Sequence, residues 1–145
     1  MTIASTWRGN PYAEGAGAFF LLYNQTLTTD WANIVDIRAM AGRSDVLALV
    51  QAQGLTGADV ATRAVIKRVL VQNMGSAEAY LSTLATAGVA TPPAPTDAYL
   101  IVQADGGGVT LDFPTRMEQL KVQARASAGT CAANVIVWFD VPQAI

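Results

Sequence analysis

Histidine is absent from this sequence, and cysteine occurs once, as Cys131. Without histidine the chain has no Ser-His-Asp or Cys-His catalysis, no HExxH zinc site and few of the usual transition-metal ligands. One cysteine can form neither an intrachain disulfide nor a thiol pair that holds a metal. We expect Cys131 to be a small buried or half-buried side chain, because a nucleophilic role would need Lys, Asp or Glu as its base. No cofactor and no metal are expected.

Charge is scarce as well. Charged residues make up only 14% of the chain, against about 25% in ordinary soluble domains, and apolar residues make up 52%. A surface with so little charge indicates extensive contact with another molecule. The formal net charge of -2 and the scatter of the nine basic residues argue against a nucleic-acid partner, because phosphate binding needs concentrated Lys and Arg. The tightest basic group, Arg63, Lys67 and Arg68, is interpreted as a solvated surface rather than an anion contact.

Long hydrophobic runs of the kind that cross membranes are also missing. The run AGAFFLLY, residues 16–23, is too short to span a bilayer. It is a poor signal peptide too, because Glu14 precedes it and Gly15 and Gly17 interrupt its start. We expect neither a membrane partner nor an export signal.

Acidic residues leave one route to catalysis open, since a glycosidase needs only two carboxylates. The candidates are Asp97, Asp105, Asp112, Glu118 and Asp140. We expect Asp97 and Asp105 in turns and the other three on solvent-exposed strand faces. Asp105 precedes three glycines, but the regularly spaced acids of an EF-hand calcium loop are missing.

Aromatic residues offer a binding alternative. Trp7, Trp31, Trp138 and Tyr80 are residue types that stack on sugar rings, although large aromatic side chains more often anchor cores or interfaces. This set supports a carbohydrate- or receptor-binding module as the alternative function. Such a module should present solvent-facing aromatic rings around a groove.

Residues 1–27 are interpreted as an N-terminal arm, because they mix glycine, alanine and aromatic residues without a sustained period of 2 or 3.6. Trp7, Tyr12, Phe19 and Phe20 make this arm too apolar for a disordered tail. We expect it to dock on its own sheet or on a neighbouring subunit.

Residues 28–63 are predicted to be a short helical and connecting segment. The first helix would begin at a threonine cap and end at Gly42, and the second would be capped by Ser44 and end at Gly54. Both stretches are rich enough in β-branched residues to be strands, so that alternative stays open. The following LTGADVATR is interpreted as a connection with room for a helical turn.

From residue 64 onward, short strand-like runs alternate with turn residues. The runs are residues 64–73, 77–84, 98–104, 109–113, 118–126 and 134–141. Six short strands in fewer than eighty residues predict an antiparallel β-sandwich or jelly-roll-like barrel over residues 64–145, within one compact unit overall.

The stretch ADGGGVTLDFPTRMEQLKVQARA, residues 104–126, is a β-hairpin signal. Apolar residues alternate with polar ones on both sides of its centre, so each strand should have one buried and one exposed face. Gly106, Gly107 and Gly108 are predicted to supply positive φ angles for a tight return. A phosphate-binding loop would need a helix after the glycines, and a strand pattern follows instead.

Two of the predicted strands are apolar on both faces. In NVIVWFDV, the residues alternating with Ile136 and Trp138 face the core and turn these two outward, and AYLIVQA likewise turns Tyr99 and Ile101 outward. Either the N-terminal helices or another subunit should cover these outward side chains.

The strand region resembles the small β-sandwich proteins of tailed-bacteriophage virions, such as head-decoration (cement) proteins and head or tail fibres. The resemblance rests on RVLVQNMGSAEAYLS and on VTLDFPTRMEQLKVQARASAGTCAANVIVWFDV, and it covers residues 64–141. It contains no signature residue, so no functional residue carries over.

The resemblance implies a non-enzymatic structural protein located in the virion, with a capsid decoration or cement protein as the leading hypothesis. Its expected partners are the major capsid protein or another virion protein, and copies of itself, with a trimer as one form. A small hydrolase that uses carboxylates is a third hypothesis. The predicted interface residues are Trp7, Tyr12, Phe19, Phe20, Tyr99, Ile101, Ile136 and Trp138.

We predict that the purified protein has no hydrolase activity, because the sequence offers no histidine and only ordinary turn and strand positions for its acids. Asp105→Ala and Asp112→Ala should affect folding alone. Turnover of a glycoside or ester that either substitution abolishes, while circular dichroism stays native, would contradict this prediction.

Overall fold

Strands supply most of the regular secondary structure in the described residues, as the period-two patterns predict. The computed structural model describes residues 18–92, 99–118 and 121–142, and for residues 18 and 114–118 it describes the backbone alone. The strands and helices within these ranges are β1 (Ala18–Leu27), β2 (Ala32–Val35), α1 (Ser44–Gln51), α2 (Gly57–Arg63), β3 (Val65–Asn73), β4 (Ala79–Ser82), β5 (Leu100–Val102), β6 (Gly108–Glu118), β7 (Val122–Ala126) and β8 (Cys131–Asp140).

The strands form two antiparallel four-stranded sheets. Sheet A has the order β1-β8-β3-β6, and sheet B has the order β2-β7-β4-β5. The chain therefore crosses between the sheets at every connection except the one from β4 to β5. This is the strand order of an eight-stranded jelly roll. The prediction of an antiparallel β-sandwich or jelly-roll-like barrel is confirmed.

The predicted hairpin over residues 104–126 is wrong. β6 pairs with β3 in sheet A, whereas β7 pairs with β2 and β4 in sheet B. The alternation within each strand is real, since residues 109, 111 and 113 of β6 are less exposed than residues 110 and 112. Alternation determines which face of a strand is buried but does not select the strand with which its backbone pairs.

The predicted arm is wrong for residues 18–27, which form β1. All ten residues pair with β8, from Ala18 opposite Asp140 to Leu27 opposite Cys131. The pattern is hard to recognise in the sequence because apolar side chains occupy both faces of this strand. Residues 1–17 lie outside the described residues.

The first predicted helix is also wrong, because its residues form β2 and a turn. Ile34 and Val35 are both buried, and the strand pairs with β7. Cross-strand packing outweighs the weak helical periodicity here. One side chain ties β2 to sheet A, since the Tyr23 hydroxyl of β1 donates a hydrogen bond to the Ile34 carbonyl.

The second predicted helix is confirmed as α1, with small differences at its ends. Arg43, not Ser44, occupies the N-cap position. After α1, the amide of Leu55 donates to the Val50 carbonyl, and Gly54 has a φ of 78°, which is a Schellman ending. The predicted connection that follows contains α2. Within the described residues, no helix has the length and hydrophobicity needed to cross a membrane.

The core lies between the two sheets. Val135, Val137, Phe139 and Val141 point into it, as predicted, and Cys131 is buried, also as predicted. On β5, by contrast, Leu100 and Ile101 are both about half exposed, because this three-residue strand lies at the edge of sheet B.

The glycine-rich turn before β6 is only partly as predicted. Positive φ angles occur at Asp105 (59°) and Gly106 (99°) rather than throughout the three glycines. Gly107 is needed for another reason, since a Cβ at this position would lie 2.5 Å from the carbonyl oxygen of Gln103. The turn packs on the end of β3, where the backbone N–H of Asn73 donates a hydrogen bond to the Gly107 carbonyl at 2.8 Å.

We predict that Gly107→Ala lowers the free energy of unfolding by about 1–3 kcal/mol, because the clash is with backbone and the turn must shift. Gly42→Ala is the control, since a Cβ there meets nothing within 4 Å. Urea denaturation of both variants measures the difference, and equal midpoints would contradict the prediction.

Candidate assembly interface

The outer face of sheet A carries three rows of side chains that run across all four strands in the order β1, β8, β3 and β6. We call this surface the bare face. Its rows, read from the strand register, are Phe20–Trp138–Arg68–Asp112, Leu22–Ile136–Leu70–Thr110 and Asn24–Asn134–Gln72–Gly108.

Two rows of the bare face are largely apolar. Phe20 is 48% exposed and Leu22 is 58% exposed, both on the edge strand β1. The Phe20 ring meets the Trp138 indole edge to face, with centroids 5.4 Å apart. Ile136 and Leu70 continue the apolar surface as half-buried side chains. Within the described residues, this sheet face therefore leaves an apolar surface in contact with water.

The only charged side chains in the three rows neutralise each other. Arg68 donates from Nε to the Asp112 carboxylate, its direct neighbour on β6. The Arg68 guanidinium also lies 5.5 Å from the centre of the Trp138 ring, within the range of a cation–π contact. The rows therefore have no net charge.

The third row is a chain of amide groups. Asn24 donates from Nδ2 to Asn134 Oδ1 at 3.1 Å, and Asn134 donates from Nδ2 to Gln72 Oε1 at 3.3 Å. Gln72 in turn donates to the Gly106 carbonyl at 3.3 Å. This row gives the bare face a polar border whose groups both donate and accept hydrogen bonds.

Sheet B differs, because residues 83–92, here called the covering loop, pack on its outer side. The backbone of Trp31 exchanges hydrogen bonds with the loop, donating to Val89 at 2.8 Å and accepting from Gly88 at 2.7 Å. Arg125, which points outward from β7, donates from Nη1 to the Ala90 carbonyl at 2.8 Å. Trp31 is only 2% exposed as a result. The chain thus covers part of one outer sheet face itself.

Three of the predicted interface residues lie together on the bare face. They are Phe20, Ile136 and Trp138, contributed by the neighbouring strands β1 and β8. Sequence reasoning missed Leu22 and Leu70, which complete the apolar surface. The sequence of β1 gives no alternation that would single out Leu22, because both faces of this strand are apolar, and the outward position of both residues follows from their pairing with Ile136.

The other predicted interface residues lie elsewhere. Phe19 is buried in the core, where its ring stacks on Phe139, so it is unavailable to a neighbour. Tyr99 and Ile101 lie on the sheet B side. Trp7 and Tyr12 fall outside the described residues.

Of the aromatic residues considered as a sugar platform, only Trp31 and Tyr80 lie in the same cluster. Trp31 is buried and contacts Tyr99, while Tyr80 packs against Tyr99 with centroids 4.8 Å apart. Trp138 belongs to the opposite sheet, and Trp7 is outside the described residues. The cluster on sheet B therefore serves packing under the covering loop.

The tightest basic group, Arg63, Lys67 and Arg68, is predicted from the sequence to be a solvated surface. In the structure its side chains pair with separate carboxylates. These pairs are Arg63 with Asp59 at 3.1 Å, Lys67 with Asp140 at 3.5 Å, and Arg68 with Asp112. Asp112 and Asp140, two of the acids considered for catalysis, are thus engaged in ion pairs on sheet A. Within the described ranges, no three histidine, cysteine or acidic residues form a group that could hold a metal.

Shifted pKa values belong to structural contacts. Burial raises the pKa of the Tyr23 phenol well above its usual range, and the Arg43 guanidinium lies 4.7 Å from that ring. A side-chain hydrogen bond from Arg43 lowers the pKa of Asp45, and hydrogen bonds from Thr56 lower that of Asp59 in the cap of α2. None of these groups lies in a row of the bare face.

Comparisons with solved structures give distant likenesses, among them two viral proteins. No protein-family model and no curated protein sequence matches the chain. The virus-like particle protein of the extra small virus of the giant freshwater prawn Macrobrachium rosenbergii aligns over 99% of this chain and 92% of its own, with 8% identity and a TM-score of 0.39. The Tobacco streak virus coat protein aligns over 87% of this chain and 88% of its own, with 7% identity and a TM-score of 0.35. At such values neither alignment assigns a family or a function.

We predict that Arg125→Met loosens the covering loop while leaving the sandwich folded. The substitution removes the hydrogen bond to Ala90 but keeps an apolar side chain at the cluster of Trp31, Tyr80 and Tyr99. The backbone amides of Trp31 and Gly88 should therefore exchange faster with deuterium. Arg43→Met, which removes a different arginine from the far side of the fold, should leave those amides unchanged. Equal exchange in both variants would contradict the prediction.

Proposed function

We propose that this chain is a non-enzymatic structural protein of a virus particle, of the decoration or cement type, and that it acts by burying the bare face against another protein of the particle. The observation that carries this proposal is the outer face of sheet A, which has two largely apolar rows and whose charged pair, Arg68 and Asp112, has no net charge. An apolar surface of this kind is stabilised by contact, at about 25 cal/mol per Å² removed from water before the costs of association.

The fold narrows the choice of function. Eight-stranded jelly rolls occur in viral capsid domains, lectins and cupins. The chain has no histidine, the commonest metal ligand, which argues against a cupin-type metal site. The aromatic residues expected of a sugar-binding groove are divided between the two sheets. Adhesion between proteins is the use that the described side chains support best.

The charge of the chain favours a place away from the genome. A protein that packages nucleic acid needs concentrated Lys and Arg, and the basic group described above is engaged with carboxylates. A decoration protein needs no such surface. Its partners would be the major capsid protein, or another virion protein, together with further copies of this chain.

The test is co-sedimentation with shells assembled from a candidate capsid protein. Wild-type protein should pellet with the shells and stay in solution without them. Leu22→Glu should reduce the bound fraction at least ~10-fold, because it would bury a carboxylate in an apolar contact. Leu84→Glu is the matched control, since Leu84 is 59% exposed and lies on the covering loop, and it should bind as wild type does.

Two outcomes would contradict the proposal. One is the absence of binding to shells by the wild-type protein under any assembly condition tested. The other is binding that Leu22→Glu and Leu84→Glu reduce equally, because the bare face would then have no special part in it.

A further inference from the structure

We infer that the protein seated on the bare face is a second copy of this chain, whose own bare face packs against it about a two-fold axis that runs along the strands. This inference rests on the proposed function, because it names the partner at the same surface. A two-fold axis in this direction places β1 of one copy over β6 of the other, and β8 over β3. Each row then faces the same row of the partner in reverse order.

The sizes of the side chains at the two edges of the bare face suit this arrangement. Phe20 and Leu22 stand out on β1, whereas the same rows end on β6 with Asp112 and Thr110, and the third row ends there with Gly108. The most exposed apolar side chains of the rows therefore lie along the β1 edge, and shorter side chains lie along the β6 edge. A two-fold axis along the strands sets the high edge of each copy over the low edge of its partner.

The chemistry of the rows is self-complementary in the same arrangement. In the apolar row, Ile136 of one copy meets Leu70 of the other. In the amide row, Asn134 meets Gln72, and each amide has both a donor and an acceptor to offer. No row brings an unpaired charge against its equivalent.

The row with the ion pair fits the same axis. Trp138 of one copy faces Arg68 of the other, so the cation–π contact that exists within the chain at 5.5 Å gains a second partner. The Arg68–Asp112 pair stays intact within each copy. The two Arg68 side chains flank the axis about one strand spacing (~4.8 Å) apart, and the pairing of each with its own Asp112 offsets their mutual repulsion.

The area of the bare face indicates a weak contact. Four strands at ~4.8 Å spacing and three rows at ~6.6 Å spacing give a face of about 19 by 20 Å, or roughly 380 Å² per copy in projection. The total of roughly 760 Å² lies in the range of weak, transient interfaces. We expect a dimer that dissociates at micromolar concentration and is strengthened when many copies assemble.

Sedimentation of the full chain up to about 200 μM tests the inference, since a dimer with a micromolar dissociation constant is fully formed there. Wild type should dimerise, Leu22→Glu should raise the dissociation constant at least ~10-fold, and Leu84→Glu should leave it unchanged. A wild-type monomer, or a dimer indifferent to Leu22→Glu, would overturn it. Dimer loss in the full-length double variant Trp7→Ser, Tyr12→Ser would overturn it as well, by making the N-terminal segment the occupant.

Cross-linking of cysteines with a bismaleimide that spans about 8–10 Å tests the direction of the axis, because packed sheets lie about 10 Å apart and a direct disulfide needs Cα atoms within about 7 Å. The variant Leu22→Cys should cross-link with Thr110→Cys when the two proteins are mixed, because β1 lies over the partner's β6. Neither should cross-link with itself, since β1 and β6 lie three strand spacings, about 14 Å, apart. Cys131 is only 1% exposed and does not compete. Efficient Leu22→Cys self-linking would overturn the inferred axis.

The two proposals fail in different ways. If the wild type is monomeric in solution but Leu22→Glu still abolishes binding to shells, the bare face contacts the capsid protein, and only the second-copy inference is lost. If the dimer and the cross-link form as described but no shell is bound, the virion function is lost and the homodimer stands.

Discussion

The position of β8 between β1 and β3 is the constraint on which both surfaces of sheet A depend. A shift of one residue in its pairing would exchange the core side chains for those of the bare face. Because both sets are largely apolar, hydrophobic burial alone distinguishes the two registers weakly. Asn134 adds the missing specificity, since in the observed register it bonds to Asn24 and Gln72, and after a shift its amide would face the core without partners.

The two outer faces of the sandwich differ in how far the chain itself covers them. Sheet B is partly covered by the chain itself, because Trp31 and Arg125 hold the covering loop against it. On sheet A, Phe20 and Leu22 remain about half exposed. The difference arises because the ten residues that follow β4 form the covering loop, which adds a third layer on the outer side of sheet B. Exposed apolar side chains also occur on the side of sheet B, where Leu100 and Ile101 are about half exposed on the edge strand β5, but only sheet A presents them beside a continuous sheet face.

The low charge of the chain is consistent with assembly through weak contacts between copies. A protein with few charged residues has little electrostatic repulsion to overcome when copies meet, and the charges near the bare face are already paired. A contact of this size is weak for one pair of molecules. It becomes effective when a particle presents many copies at once, because each further contact forms at a high effective concentration.

The sequence by itself determined the fold class, the strands from residue 64 onward and the inward side of β8, because a period of two reports directly which side chains a sheet buries. It also pointed to Ile136 and Trp138 as outward apolar groups, whereas it named Phe20 only together with Phe19, as part of an arm. Only the tertiary structure decided that residues 18–27 complete sheet A, and that Phe19 belongs to the core. Pairing between strands depends on contacts between residues far apart in the chain, such as Leu22 with Ile136, and a local pattern carries no record of the partner.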